Sequence, residues 1–441
     1  MAQHPDQEDL SVLLEDLFTD IAARRPSLID LGLERVELTL SRLGMPHNAI
    51  PPAIHVAGTN GKGSTIAFLR SIIEAKGFST HVFTSPHLVR YNERIVLAGR
   101  EIDDATFIDV LKRVDDAAGE DALTFFETIT CAAFLAFSEV AADFTLLETG
   151  LGGRLDATNV LSKPLATVIT PIDYDHQKFL GETIEQIAGE KAGIFKPGAP
   201  AVIGVQNPDA LKVLETKAAI TKAVPFVHGA AWTSWPENGR LIYQDEEGLC
   251  DLGAPRLVGA HQMQNAALAV AATRAAGLSF DDTVLSAGIE NAKWPARLQP
   301  LQSGPLVEIL RDDEPQSEIW LDGGHNPHAA ETLAVALGTL EEKSPKPLVL
   351  IAGLQANKDA IGFFRPFNGL ARGVIATASE HQQALTPSAV AEAASAAGLN
   401  ANAGGELFEA ALLARRAVDG PARFLICGSL YLAGEVLEDN M

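Results

Sequence analysis

Short, unbroken apolar runs separated by longer stretches of mixed polarity set the rhythm of this 441-residue chain. Ala53–Ala57, His81–Ser85, Asp143–Thr149, Leu165–Pro171 and Ala201–Val205 read as strands. Their apolar positions are continuous rather than alternating, as in strands buried on both faces. Ser64–Lys76, Asp104–Ala118 and Thr128–Val140 read as helices between them. The alternation predicts an α/β fold with a mainly parallel sheet. Val258–Ala276 reads as an alanine-rich helix. Trp294–Pro305 holds three prolines and a glycine without periodicity, and reads as an interdomain linker. Beyond it, Leu306–Leu310, Ile319–Asp322, Leu348–Ala352, Gly373–Ala378 and Phe424–Gly428 are strand candidates of a second α/β set. The alanine-rich tract Ala389–Ala397 reads as one of its helices, and no internal repeat is visible. The pattern predicts a larger domain over 1–298 and a smaller one over 299–441.

Composition narrows the function classes. With 57 acidic against 34 basic residues, the formal net charge is -23. That argues against non-specific nucleic-acid or anionic-membrane binding, which needs basic patches. A local basic cluster for an anionic substrate remains compatible with it. The three cysteines, Cys131, Cys250 and Cys427, have no metal-binding spacing and fit a reducing compartment. Met1–Leu10 is polar and acidic, unlike a signal peptide, and no apolar run matches a bilayer span. The expected location is the cytoplasm.

The candidate chemistry gathers where strands end. Ala53–Ala57 is followed by Gly58-Thr59-Asn60-Gly61-Lys62-Gly63-Ser64-Thr65, and then by a helix. Glycines let backbone N–H groups close around phosphate oxygens, and the helix N-terminus adds positive potential. Lys62 suits a terminal phosphate and the Ser64 hydroxyl suits Mg²⁺. Gly63 stands between them, where the common phosphate loop has none. The strand Asp143–Thr149 carries Glu148 at its end, followed by a glycine-rich turn with Arg154 and Asp156. Ligands of open α/β sheets bind beyond the carboxyl ends of strands, so Glu148 is placed to ligate Mg²⁺. Asp175 and His176 follow the next strand; imidazole is an uncommon Mg²⁺ ligand, so His176 suits metal or phosphate.

Other segments read two ways. Lys191 in Ala188–Gly198 is a solvated lysine, a phosphate contact, or a carbamylated oxygen ligand. Thr124-Phe125-Phe126-Glu127 is either a helix cap with core aromatics or a stacking wall for a flat heterocycle. Asn265 suits a base or ribose, Arg297 a phosphate, and Asp322 and His325 stand at a strand end of the second domain.

Taken together, these segments resemble the dihydrofolate synthase/folylpolyglutamate synthase family, relatives of the muramyl peptide ligases. The matching pieces are Leu28–Arg35, Gly58–Thr65, Thr84–Leu88, Leu123–Glu127, Glu148–Asn159, Asp175–His176 with Leu180-Gly181, and Glu190–Ile194. Asn265, Trp294–Arg297, Asp322–Pro327 and Leu425–Leu430 continue in the same order. The resemblance implies a phosphate-loop ATPase domain followed by a Rossmann-like, Mur ligase-like domain. It implies an ATP-dependent amide ligase that adds L-glutamate to dihydropteroate and to reduced folates through an acyl phosphate. Gly58, Thr59, Asn60, Gly61, Lys62, Gly63, Ser64 and Thr65 would then hold ATP, with Asn265, Arg297 and Asp322. Ser64 and Glu148 would bind one Mg²⁺, and Glu148 with His176 a second. Lys191 looks like the family's N6-carboxylated lysine, and His325 would approach the nucleotide or the glutamate. Leu28, Ile29, Asp30 and Leu31, with Thr124, Phe125, Phe126 and Glu127 and with Leu155, Asp156 and Ala157, resemble the pterin pocket. A monomer and a K⁺ requirement are further expectations of the same kind.

Three alternatives compete. A muramyl-type ligase would carry an additional N-terminal domain, and here the phosphate loop starts at Gly58. A nucleotide-gated binding module would have no need of Ser64, Glu148, His176 and Lys191 together. A kinase or simple phosphatase would form ADP without glutamate.

Overall fold

The computed structural model describes residues 7–23, 31–119 and 123–439. The chain divides into two compact units, Met1–Arg256 with Met263–Ala292, and Leu257–Gln262 with Lys293–Met441. Each unit is an α/β structure with its own sheet.

In the first unit the strands are β1 (Ala53–Ala57), β2 (Thr80–Phe83), β3 (Ile95–Leu97), β4 (Arg100–Glu101), β5 (Phe144–Glu148), β6 (Ala166–Ile169), β7 (Pro200–Ile203) and β8 (Val224–Val227). They form one sheet in the order β4-β3-β2-β5-β1-β6-β7-β8. The pairs from β2 to β8 are parallel, and β3 and β4 fold back antiparallel at one edge. Register sets the ends level: Val56 pairs with Glu148, and Ala57 with Ile169. The carboxyl ends of β1, β5 and β6 therefore open onto one crevice, the usual ligand position in such sheets. All five residues of β1 are buried. Aromatic and aliphatic side chains from Phe107, Phe134 and Phe137 fill the core on one side, and Ile187, Ile194 and Leu214 contribute to another cluster.

A small antiparallel sheet, which the apolar pattern did not reveal, follows in the same unit. It consists of β9 (Trp232–Glu237), β10 (Arg240–Asp245) and β11 (Gly248–Leu252). Its tight turns contain Asn238-Gly239 and Gly248, all with positive φ. Arg274, on the helix Ala260–Ala275, anchors it through Asp245 at 3.0 Å, Glu247 at 3.0 Å and the Cys250 sulfur at 2.9 Å.

The second unit has β12 (Gln299–Pro300), β13 (Glu318–Leu321), β14 (Leu348–Ala352), β15 (Ala371–Thr377), β16 (Ala401–Gly405) and β17 (Arg423–Cys427). Their order is β12-β13-β17-β14-β15-β16, parallel except for β12. Two expectations change here. Leu306–Leu310 is not a strand but lies in the helix Pro305–Arg311. Pro305 sits at its first position, where the missing N–H costs nothing, and Leu306, Val307 and Leu310 share its buried face. So short an apolar run does not distinguish the two periods. The proline-rich stretch also contains the edge strand β12, whose Gln299 and Pro300 pair with Leu321 and Trp320. An edge is where a strand tolerates proline. Among the described residues no helix is long and apolar enough to cross a membrane.

Arg423 opens β17 with only 1% exposure, a charge inside the second unit. Its guanidinium donates to Glu318 at 2.9 Å, to Glu341 at 3.1 Å and to the Ser344 carbonyl at 2.9 Å. Lys346 also reaches Glu318. Removing one member of such a network leaves a desolvated partner unpaired. Arg423→Met is expected to destabilise the unit by about 3 kcal/mol, measured as a lower midpoint in denaturant unfolding. An unchanged midpoint would contradict this role.

Candidate active site

The phosphate loop is built by backbone that only glycine supplies. A Cβ on Gly58 would lie 1.8 Å from Thr170 Oγ1, and one on Gly61, at φ +86°, 2.6 Å from Asn265 Oδ1. The loop leans on the end of β6: Thr59 N and Asn60 N donate to the Pro171 carbonyl, at 3.0 and 3.4 Å. Thr59 Oγ1 bridges the Asp173 backbone, donating to its carbonyl and accepting from its amide. The helix Lys62–Ala75 begins inside the loop, so Lys62, Gly63 and Ser64 form its first turn. Its amides face the crevice with the helix's positive end. Ser64 is buried.

Two lysines converge on one carbonyl. Lys62 Nζ donates to Gly58 O at 3.3 Å and to Thr59 O at 3.4 Å. Lys191 Nζ, from the end of the helix Ile184–Lys191, donates to the same Gly58 O at 2.8 Å. Lys191 is only 4% exposed, which removes the solvated-lysine reading. Burial, with repulsion from Lys62, pushes its amine down to about 7, against the pull of Asp175 and Asp156. Glu148, buried at the end of β5, stands 3.8 Å from Lys62 Nζ and accepts from Ser85 N at 3.4 Å.

His176 starts a short helix in the left-handed region, at φ 52°. Its Nε2 lies 3.9 Å from Asp175 Oδ1. Among the described residues, no three His, Cys, Asp or Glu side chains gather tightly enough to hold a metal by themselves. The donor set nevertheless suits Mg²⁺, which is held through one or two carboxylates and completes its shell with phosphate oxygens and water. Ser64 and Glu148 supply such oxygens beside the loop.

The glycine-rich turn after β5 is tied down from beneath. Asp156 is buried; its carboxylate accepts from Leu151 N at 2.8 Å, from Thr158 N at 3.0 Å and from the Thr158 hydroxyl. Burial pushes its carboxyl up, and these donors oppose that shift. Ala157 is buried beside it and Leu155 is half-buried. Asn159 Nδ2 donates to the Arg154 and Gly193 carbonyls, joining this turn to the segment after Lys191.

Thr124 and Glu127 form a capping box on the helix Phe125–Glu139, and Glu127 also pairs with Arg35 at 2.9 Å. The Phe126 ring lies against Gly150, where an added Cβ would be 2.4 Å from it. Phe125 packs with Phe18 and Tyr91, under Arg94. Leu31 is half-buried at the start of its described segment, and Leu28, Ile29 and Asp30 lie outside the described residues.

Arg297, Asp322 and His325 belong to the second unit. The buried Asp322 accepts from Leu298 N at 2.7 Å and Gly324 N at 2.6 Å, fixing the turn that carries Arg297. His325 Nδ1 donates to the Gly323 carbonyl at 2.9 Å. In the first unit, Gly58–Thr65, Glu148, Lys191 and Asn265 are brought together by the contacts above. The sequence reading assigned no role to Ser85, Asp173 or His55. Ser85 and Asp173 follow the ends of β2 and β6, the signal that singled out Glu148.

A glycine-rich loop at the end of a central parallel strand, with a carboxylate and two converging lysines, is the architecture of a nucleotide-using α/β enzyme, and the comparisons specify the Mur ligase type. Residues 56–273 match the Mur ligase middle domain, and 306–439 the dihydrofolate synthetase C-terminal domain. The chain is 34% identical over 410 residues to an Escherichia coli dihydrofolate synthase/folylpolyglutamate synthase, covering 93% of this chain and 91% of that one. It is similar to the E. coli FolC structure in complex with DHPP and ADP, at TM-score 0.87 and 31% identity, over 96% of this chain and 97% of that one. It is also similar to a bifunctional folylpolyglutamate synthase/dihydrofolate synthase with Mn, AMPPNP and L-glutamate bound. That match has TM-score 0.83 and 29% identity, over 99% of each chain. The chain belongs to the dihydrofolate synthase/folylpolyglutamate synthase family of the Mur ligase superfamily.

The buried Lys191 makes a pH-dependent prediction. Its amine is held at about 7, against 10.5 when free. A depressed lysine costs nothing above its free value; the cost grows as pH falls toward 7 and is constant below. Lys191→Met is therefore expected to gain stability relative to the native chain as pH is lowered from about 9.5 to 7. Melting temperatures across that range check it; a difference that does not change with pH would contradict the burial of the amine.

Proposed function

We propose that this chain uses ATP to join L-glutamate to dihydropteroate, forming dihydrofolate, and to reduced folates, extending their glutamate tails. The observation that carries the reading is the convergence of Lys62 and Lys191 on Gly58 O with Glu148 opposite. Membership of a ligase family gives that convergence its chemistry.

A carboxylate is a poor electrophile because it is anionic near neutral pH. Its oxygen attacks the γ-phosphorus of ATP, the bond to the bridging oxygen breaks, and ADP leaves. The deprotonated glutamate amine then attacks the acyl carbon, and inorganic phosphate departs as the amide forms. The protein's part is mainly positioning and charge neutralisation. Gly58–Thr65 cradle the phosphates through their amides, and Lys62 neutralises a terminal oxygen. Asn265, whose side chain lies against Gly61, is assigned to the nucleoside. Arg297, Asp322 and His325 are assigned roles toward ATP and glutamate on the family reading. Mg²⁺, when bound, neutralises phosphate oxygens; Ser64 and Glu148 would hold it, with His176 and Glu148 at a second position.

Lys191 fits N6-carboxylation for a physical reason. An amine near 7 is substantially neutral at physiological pH, and the neutral amine is the form that adds to CO₂. The anionic product would exchange the repulsion from Lys62 for attraction. Lys191→Ala is expected to lose activity, and short carboxylic acids to restore part of it; full activity without them would make this lysine structural. The pterin pocket is assigned to Leu28–Leu31, Thr124–Glu127 and Leu155–Ala157. A monomer in the cytoplasm, with K⁺ as a further activator, completes the reading; Cys131, Cys250 and Cys427, which form no disulfide among the described residues, suit a reducing compartment.

ADP release by purified protein with ATP and Mg²⁺ tests the function. Dihydropteroate with glutamate, and tetrahydrofolate with glutamate, should each support release, whereas glutamate alone should not. Release only with tetrahydrofolate would remove the synthase activity. No pterin-dependent release would overturn the reading.

A further inference from the structure

His55 lies in the middle of β1, a strand otherwise made of Ala53, Ile54, Val56 and Ala57. Its side chain is fully buried, and β1 is flanked by β5 and β6, with Leu147 and Thr167 as the register neighbours of His55. Burial, with Lys196 nearby, holds the ring down to about 3, so it is neutral throughout the working range. A neutral imidazole in an apolar strand costs desolvation unless its polar atoms are bonded.

The ring has one hydrogen-bond partner among the described residues. His55 Nε2 lies 2.8 Å from Thr158 Oγ1, and the Thr158 hydroxyl in turn donates to Asp156 Oδ1. A hydroxyl has one hydrogen, so Thr158 accepts from His55 as it donates to Asp156. The proton therefore sits on His55 Nε2, and Nδ1 is left as a bare lone pair. The orphaned, buried Nδ1 agrees with that tautomer. The chain runs in one direction, from the strand through Thr158 to the carboxylate.

We propose that His55 is a positioning residue for the pterin-binding turn: through Thr158 it fixes the Asp156 carboxylate, and with it Leu155 and Ala157, against β1. The inference rests on the reading that this turn lines the pterin pocket. Three residues after His55, the same strand runs into Gly58. The turn for the acceptor and the loop for the phosphate donor are thereby referenced to one rigid strand. A histidine that only filled space would tolerate an isosteric apolar residue. One that orients the turn would not, and its loss would fall on the pterin substrate and spare ATP.

The test is steady-state ADP release by the full chain with Mg²⁺, ATP, glutamate and dihydropteroate. His55→Leu and Thr158→Val are each expected to raise the KM for dihydropteroate roughly tenfold, with the KM for ATP within about twofold. His55→Gln, whose amide can donate from near the Nε2 position, should recover most of the loss. The double variant should be no worse than Thr158→Val, because both changes cut one chain of bonds. A normal dihydropteroate KM in His55→Leu, equal rises for ATP and dihydropteroate, or no recovery with glutamine would overturn the proposal. Should His55→Leu fail to fold, a normal dihydropteroate KM in Thr158→Val overturns it alone. Asp156→Asn separates the two levels. If it leaves the dihydropteroate KM unchanged, the pocket assignment fails and this inference with it; if it raises that KM while His55→Leu does not, only the inference fails.

Discussion

The Lys191–Gly58 hydrogen bond is the contact on which the site depends. It places a buried amine 2.8 Å from a carbonyl that Lys62 also approaches, at 3.3 Å. Two like charges so close, in a poorly solvated crevice, are stable only if something anionic answers them or if one is discharged. The protein uses both routes. Glu148 answers Lys62 across 3.8 Å, and Lys191 is pushed down to about 7.

The fold supplies the rigidity this requires. β1 is buried at all five positions and flanked on both sides by parallel strands, so the loop leaving it starts from a fixed point. Thr59, Asn60 and Asp173 tie that loop to the end of β6, and Ser85 ties Glu148 to the end of β2. Asn159 joins the turn after β5 to the segment after Lys191. The groups that must act together are thus held by backbone contacts among adjacent strand ends. An enzyme whose contribution is mainly positioning needs that rigidity before substrate arrives.

Much of this was legible in the sequence because the site follows strand ends. The continuous apolar runs at Ala53–Ala57 and Leu348–Ala352 are strands with the expected bounds. The glycine-rich loop was legible as a turn between β1 and the next helix, where Gly58 and Gly61 sit too close to Thr170 and Asn265 for any side chain. The failures have physical causes. Leu306–Leu310 is too short for its period to be read, and the glycine and proline that start its helix looked like a linker. The sheet of β9–β11 is marked by turns and by Arg274, a contact between residues far apart in the chain. The burial of Lys191 had a faint signal: it shares the buried face of its helix with Ile184, Ile187 and Ala188, but eight residues are too few for that spacing to decide. His55 was invisible for the opposite reason: within an apolar strand, one polar residue looks like an exception until its partner is seen.

On the proposed function, Gly58–Thr65, Glu148 and the two lysines form one site for a polyphosphate and its divalent cation. A crystal structure of this protein with Mn²⁺ and a non-hydrolysable ATP analogue tests it most directly, since manganese is located by its anomalous scattering. A manganese peak is expected between Ser64 Oγ and the Glu148 carboxylate, with Lys62 turned from Glu148 toward the terminal phosphate. Nucleotide bound with manganese remote from Glu148, and the Lys62–Glu148 pair intact, would contradict it.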